Sequence, residues 1–115
     1  MNLIAQRVLS SSLYIEGKKI VSIDRGILAL VGFEKGDTSS DCEIIADKLL
    51  NYRIFPDDKG RMENSVIDIK GDLLLVPEVT LALETRKGTR PSFSEAASPD
   101  LGKLLFVDLS NKLRE

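Results

Sequence analysis

Thr80 and Glu78 lie two residues apart in the apolar run from Val76 to Leu81, where a regular pleat puts a hydroxyl and a carboxylate on one strand face. The hydroxyl can bond a substrate, but a lone threonine is a weak nucleophile without a base. It serves equally as an ordinary β-branched strand residue. A carboxylate at Glu78 is either exposed or paired, so structural and functional readings both stand. Just beyond, Arg86, Lys87 and Arg90 surround Gly88 and make a basic turn that either meets phosphates or is simply solvated. Phe93, behind the rigid Pro91, suits a packing anchor better than a base-stacking platform. Asp57, Asp58 and Glu63 cluster near another turn, but their spacing does not match a calcium loop.

What is missing narrows the chemistry further. The 115 residues include no His, one Cys and no Trp. A zinc site built on His and Cys, a Ser-His-Asp triad and a Cys-His pair are all excluded within the chain. No metal and no cofactor is implied. Cys42 has no cysteine to pair with, which suits a reducing compartment, and its surroundings read as a small apolar residue within a helix. The N-terminus reaches Arg7 after a short apolar stretch, too short for a signal core or a membrane span. The expected location is therefore cytoplasmic, with no membrane partner.

Charge sets a second limit. A net charge of -2 and 30% charged residues describe an ordinary globular chain, not a general polyanion binder, while leaving room for a local basic site. The length suits one domain, residues 1–115, with a core of its own.

The elements that must position these groups follow from periodicity. Asn2 to Val8 and Gly26 to Gly32 are apolar runs that read as central strands, with two strands between them around the Glu16-Gly17-Lys18 hairpin. The first half thus reads as an antiparallel meander. Ser40 with Glu43 predicts a capping box for a helix to about Tyr52, whose Ile45, Ala46, Leu49 and Tyr52 form one stripe. A brief strand over Arg53 to Phe55 precedes a turn from Pro56 to Gly60; further strands follow over Val66 to Ile69 and Leu73 to Leu81. Ser98-Pro99-Asp100 opens a last helix, with Leu101, Leu105, Leu109 and Leu113 four apart and Leu104 beside them. No Gly, Asn or Pro stop signal precedes Glu115.

In order and spacing, these segments resemble the D-aminoacyl-tRNA deacylases, also called D-tyrosyl-tRNA deacylases, over nearly the whole sequence. The resemblance rests on Ile4-Ala5-Gln6-Arg7-Val8, Gly26 to Gly32, Ala46-Asp47-Lys48 and Tyr52-Arg53-Ile54-Phe55. It continues through Gly60-Arg61-Met62-Glu63-Asn64-Ser65, Val76 to Leu81, Gly88-Thr89-Arg90-Pro91-Ser92-Phe93 and Ala96-Ala97. It implies an α+β fold of mostly antiparallel sheets in a barrel-like arrangement with two helices, a homodimer, and hydrolysis of the ester joining a D-amino acid to tRNA. Chirality would be read by backbone atoms, with the 2′-hydroxyl of the terminal adenosine assisting water, so no side-chain triad is needed. The catalytic positions carried over are Thr80 and Glu78; the substrate-binding positions are Gln6, Arg7, Pro77 and Val79.

Two departures qualify the activity. The family's Gln-x-Thr stands here as Glu78-Val79-Thr80, which replaces an amide by a carboxylate and an aromatic by valine. The family's C-terminal Gly-Pro pair, which Arg7 would hold in place, is absent from the sequence. The alternative is a catalytically inactive shortened member that dimerises or binds tRNA. A third reading, a structural interaction domain, rests on the apolar last helix.

Overall fold

The computed structural model describes residues 1–78 and 96–114. Its elements are β1 (Asn2–Val8), β2 (Ser11–Ile15), β3 (Lys18–Ile23), β4 (Gly26–Gly32), α1 (Ser39–Asn51), β5 (Phe55–Pro56), β6 (Met62–Asn64), β7 (Asp72–Pro77) and α2 (Pro99–Arg114). The architecture is α+β, as expected. No closed barrel forms among the described residues, where the strands make three sheets, β1-β4-β7, β2-β3 and β5-β6.

β4 is the centre. Its run GILALVG is buried or half-buried throughout, the pattern of a strand covered on both faces and paired on both edges. β1 lies antiparallel on one edge, from Asn2 opposite Gly32 to Val8 opposite Gly26. β7 lies parallel on the other, from Gly26 beside Asp72 to Val31 beside Pro77. Gly26 is required for that approach, because a Cβ there would overlap the Asp72 backbone.

The expected meander is corrected by this order, since β1 pairs with β4 rather than with β2. The hairpin β2-β3 is an excursion between them, and its largely exposed β3 carries Lys18 and Lys19, which could not take a central place in a buried sheet. Its two-residue turn is as read: Glu16 and Gly17 both have positive φ, 51° and 78°, as a type I′ connection demands.

Two other expectations shift for identifiable reasons. The helix α1 is capped by Thr38 with Asp41, two residues before Ser40 and Glu43, the Thr38 N–H donating to Asp41 Oδ2 at 2.9 Å. A tight turn ends immediately upstream, where Asp37 N–H donates to the Glu34 carbonyl, so Thr38 is the first residue free to cap. Val66 to Ile69 is a helical turn rather than a strand. Ser65 and Asp68 bond reciprocally, backbone N–H to side-chain oxygen, in the manner of a capping box, and Ile69 N–H then donates to the Ser65 carbonyl. Those Ser65 hydrogen bonds hold the Asp68 carboxyl below its ordinary range.

The remaining signals hold. Phe55–Pro56 begins two residues later than expected and pairs with Met62–Asn64; between them Asp57 closes the predicted turn by accepting from the N–H groups of Lys59 and Arg61. Ser98 caps α2 by accepting from Leu101 N–H. In α1, Ala46 and Leu49 are buried and Ile45 half-buried, but Tyr52 is 50% exposed.

Both helices pack on one face of the central sheet. Val31 and Phe33 meet Cys42 and Ala46 of α1 and Leu105 and Leu109 of α2, while Ile27 and Ala29 meet Leu49, Phe55 and Val66. In α2 the leucines 105 and 109 are buried and 101 and 113 half-buried, whereas Leu104 is 67% exposed. A polar clasp closes the seam between the helices: Asp108 accepts from Ser39 Oγ at 2.8 Å and from Lys112 Nζ at 2.9 Å.

Replacing Leu109 by Ala should cost about 2–5 kcal/mol in urea unfolding, through lost transfer energy and a cavity, while Leu104→Ala should stay within about 0.5 kcal/mol. Cys42 yields a pH dependence. Burial, then the negative Asp108, raises its thiol from 9.0 to about 11. A pKa raised on folding contributes stability below the unfolded value that is lost as pH rises through the folded one. Wild type should therefore lose stability between pH 9 and 11, and Cys42→Ala should flatten that loss; equal slopes in urea melts would count against it.

Candidate functional site

The end of β4 gathers the pieces. β7 runs off it at Pro77, and the next N–H, that of Glu78, donates to the Val31 carbonyl at 2.8 Å. The chain comes back at Ala96, which bridges Glu34, and Ala97 N–H donates to the Phe33 carbonyl at 2.9 Å. Glu78 and Ala96 are thus tied to one short stretch of backbone, and α2 begins beside it.

Between these strands and the first turns of α2 lies a cavity of about 460 Å³, lined by Val31, Phe33, Pro77, Glu78, Lys103 and Phe106 among others. Its size suits a small organic group, and its apolar walls suit an amino-acid side chain better than a free polar ligand. Pro77 is exposed and Glu78 half-buried. Lys103, exposed on α2, lines the same cavity as Glu78. Sequence reasoning passed over Lys103 and Phe106, although a signal existed: Phe106 falls three residues before Leu109 and so widens the apolar leucine face of α2.

Of the six residues expected at the site, Pro77 and Glu78 meet at this cavity, while Val79 and Thr80 lie outside the described residues. Gln6 and Arg7 are elsewhere. Arg7 stands opposite Ile27 and Pro77 beside Val31, four residues apart along β4, or about 13 Å at strand rise. Gln6 and Arg7 also point to opposite faces, as adjacent strand residues do. Arg7 shares the helix-side face with Leu3 and Ala5, and its Nη1 donates to the Ile54 carbonyl at 2.9 Å and contacts Met62 Sδ at 3.1 Å. Gln6 lies on the other face, exposed, beside Leu28. The basic turn at Arg86, Lys87 and Arg90 lies outside the described residues.

One other polar group has the residue types for catalysis. Ser39, Asp108 and Lys112 form a closed triangle, with Lys112 Nζ also 3.2 Å from Ser39 Oγ. Hydrogen bonding to Asp108 raises the Lys112 pKa, which keeps the amine protonated and unable to take the serine proton. The bonds from Lys112 and Ser39 in turn lower the Asp108 pKa. The triangle is a helix clasp.

Comparison with known proteins identifies the family. The family model described as D-Tyr-tRNA(Tyr) deacylase matches residues 4–115. A protein of Marinomonas sp. (strain MWYL1) named D-aminoacyl-tRNA deacylase is 49% identical over 114 residues, 99% of this chain and 79% of that protein. One of the same name from Thermosipho melanesiensis is 45% identical over 115 residues, 100% of this chain and 77% of its own length. A solved structure named c-Myc DNA Unwinding Element Binding Protein superimposes with a TM-score of 0.93 at 32% identity, covering 99% of this chain and 76% of that one. A second, titled as a probable eukaryotic D-amino acid tRNA deacylase, has the same fold with a TM-score of 0.83 at 19% identity, over 97% of this chain and 66% of that one. With a match along almost its full length, the chain belongs to the D-Tyr-tRNA(Tyr) deacylase family.

Proposed function

We propose that this protein hydrolyses the ester between a D-amino acid and tRNA, releasing the free amino acid and the tRNA. The observation that carries the reading is family membership along residues 4–115, with the apolar cavity at Pro77 and Glu78 as the place for the aminoacyl side chain. Water adds to the ester carbonyl carbon, and the 3′-oxygen of the terminal ribose leaves with a proton. With no His in the sequence, the proton relay falls to the substrate's own 2′-hydroxyl, and the carbonyl oxygen is steadied by backbone N–H groups near Thr80. Thr80 then shapes the pocket rather than attacking. Glu78, in place of an amide, donates nothing and repels the incoming phosphates.

The working form is a homodimer in the cytoplasm. Support for self-association comes from the sheet face turned away from the helices, where Ile4, Leu28, Leu30 and Val76 are only partly covered and Ile4 is 54% exposed. An apolar strip of that kind favours a partner surface. Support for the location comes from the tRNA substrate and the free thiol of Cys42. No helix among the described residues is long and apolar enough to cross a membrane.

A second reading, a non-catalytic member that binds tRNA, is favoured by Glu78 and Val79 in place of the family's glutamine and aromatic. One assay separates the two. Purified protein should release tyrosine from D-Tyr-tRNA faster than buffer and spare L-Tyr-tRNA; a rate equal to buffer refutes the hydrolase. Glu78→Gln should raise kcat/KM about threefold to tenfold, the size of one screened charge repulsion. A fall instead would give the carboxylate a positive role.

A further inference from the structure

A glycine stands in the first turn of α2, at Gly102, where its backbone freedom weakens the helix relative to alanine. Its N–H donates to the Ser98 carbonyl at 2.8 Å, an ordinary helical bond. Neither common reason for a glycine applies to it. Among the described residues the glycines with positive φ are Gly17 and Gly60, so Gly102 meets no demand for left-handed backbone. A Cβ at Gly102 would meet no described atom within 4 Å, whereas at Gly26 the Asp72 backbone leaves no room for one. What the missing side chain leaves open is the strand-end cavity, which Gly102 lines together with Phe106. We propose that Gly102 and Phe106 select the side chain this cavity takes, admitting large apolar and aromatic D-aminoacyl groups; this rests on the tRNA-ester reading above.

The two positions are one helical turn apart, and residues four apart share a face. Long side chains on a helix lean back toward its N-terminus, so the Phe106 ring lies over the turn that holds Gly102. A bare backbone at 102 leaves that side of the ring uncovered by its own helix. The ring is held from behind, since Phe106 packs against the cluster of Val31, Phe33, Leu105 and Leu109 and is half-buried. Val31 is fully buried and Phe33 is 7% exposed, so both are committed to the core. Phe106 is thus the aromatic wall with surface left for a ligand, and the exposed Pro77 is a second apolar one.

A tyrosyl, phenylalanyl or tryptophanyl side chain entering this space buries apolar area and meets the Phe106 ring edge-to-face or offset. An alanyl methyl is too short to gain either contact. Filling position 102 from the helix side would occupy the same space that the large side chain needs.

The test uses two probes, adenosine carrying D-tyrosine or D-alanine through a 3′-amide, titrated by calorimetry. The amide resists hydrolysis, and the shared adenosine makes the difference between the probes a measure of the side chain alone. Wild type should favour the D-tyrosyl probe by about tenfold or more. Gly102→Leu should weaken that probe by about tenfold and leave the D-alanyl probe within about twofold. Phe106→Ala should weaken the D-tyrosyl probe by about twofold to tenfold, with the D-alanyl probe again little changed. Gly102→Ala should fall between wild type and Gly102→Leu while unfolding in urea no earlier than wild type, which separates a filled cavity from a damaged fold. Equal affinity of wild type for the two probes, binding of neither, or a Gly102→Leu protein that weakens both alike or neither would each overturn the size selection. A wild type that ranks the probes as expected but releases no tyrosine from D-Tyr-tRNA would instead refute the hydrolase and leave the selection standing.

Discussion

Everything in this molecule depends on one strand having no free edge. β4 is hydrogen-bonded on both edges and covered by both helices on one face, so its neighbours are determined by what can approach it. Gly26 lets the Asp72 backbone come in beside it, and from that contact the parallel register places Pro77 next to Val31. The helices cover the same strand through Val31, Phe33, Leu105 and Leu109. Among the described residues, the cavity at its end is bounded by the sheet and the first turns of α2.

Much of this was legible because the signals were local. The Glu16-Gly17 turn, the Asp57 turn, the Ser98 cap and the buried leucines of α2 each follow from a few adjacent residues whose preferences agree. Pairing order was not legible, since two apolar strands separated by a hairpin read the same whether the hairpin stays in the sheet or leaves it. The turn over Val66 to Ile69 was misread because its apolar residues outweighed the Ser65 and Asp68 bonds that bend it. At the site, family likeness named Gln6 and Arg7 together, while the pleat itself already divides them between two faces.

That division gives the protein two charged poles along one strand. At one end a carboxylate, Glu78, and an ammonium, Lys103, border an apolar hollow. At the other, Arg7 and Arg25 present positive charge with no paired acid among the described residues. Glu78 and Lys103 offset one another at the first end, so the two ends differ in local charge within a chain whose overall excess is slightly negative.

The parallel pairing also has a temporal consequence. Gly26 finds Asp72 about forty-six positions later in the chain, a closure that costs on the order of 3 kcal/mol beyond a constant, whereas the β2-β3 hairpin closes over two residues within microseconds. The hairpin and α1 thus have their contacts early, and the β7 edge must wait until α1 and the turn after it are in place. The cavity is bounded by β7 and the first turns of α2, so it is complete only once this long closure has been made.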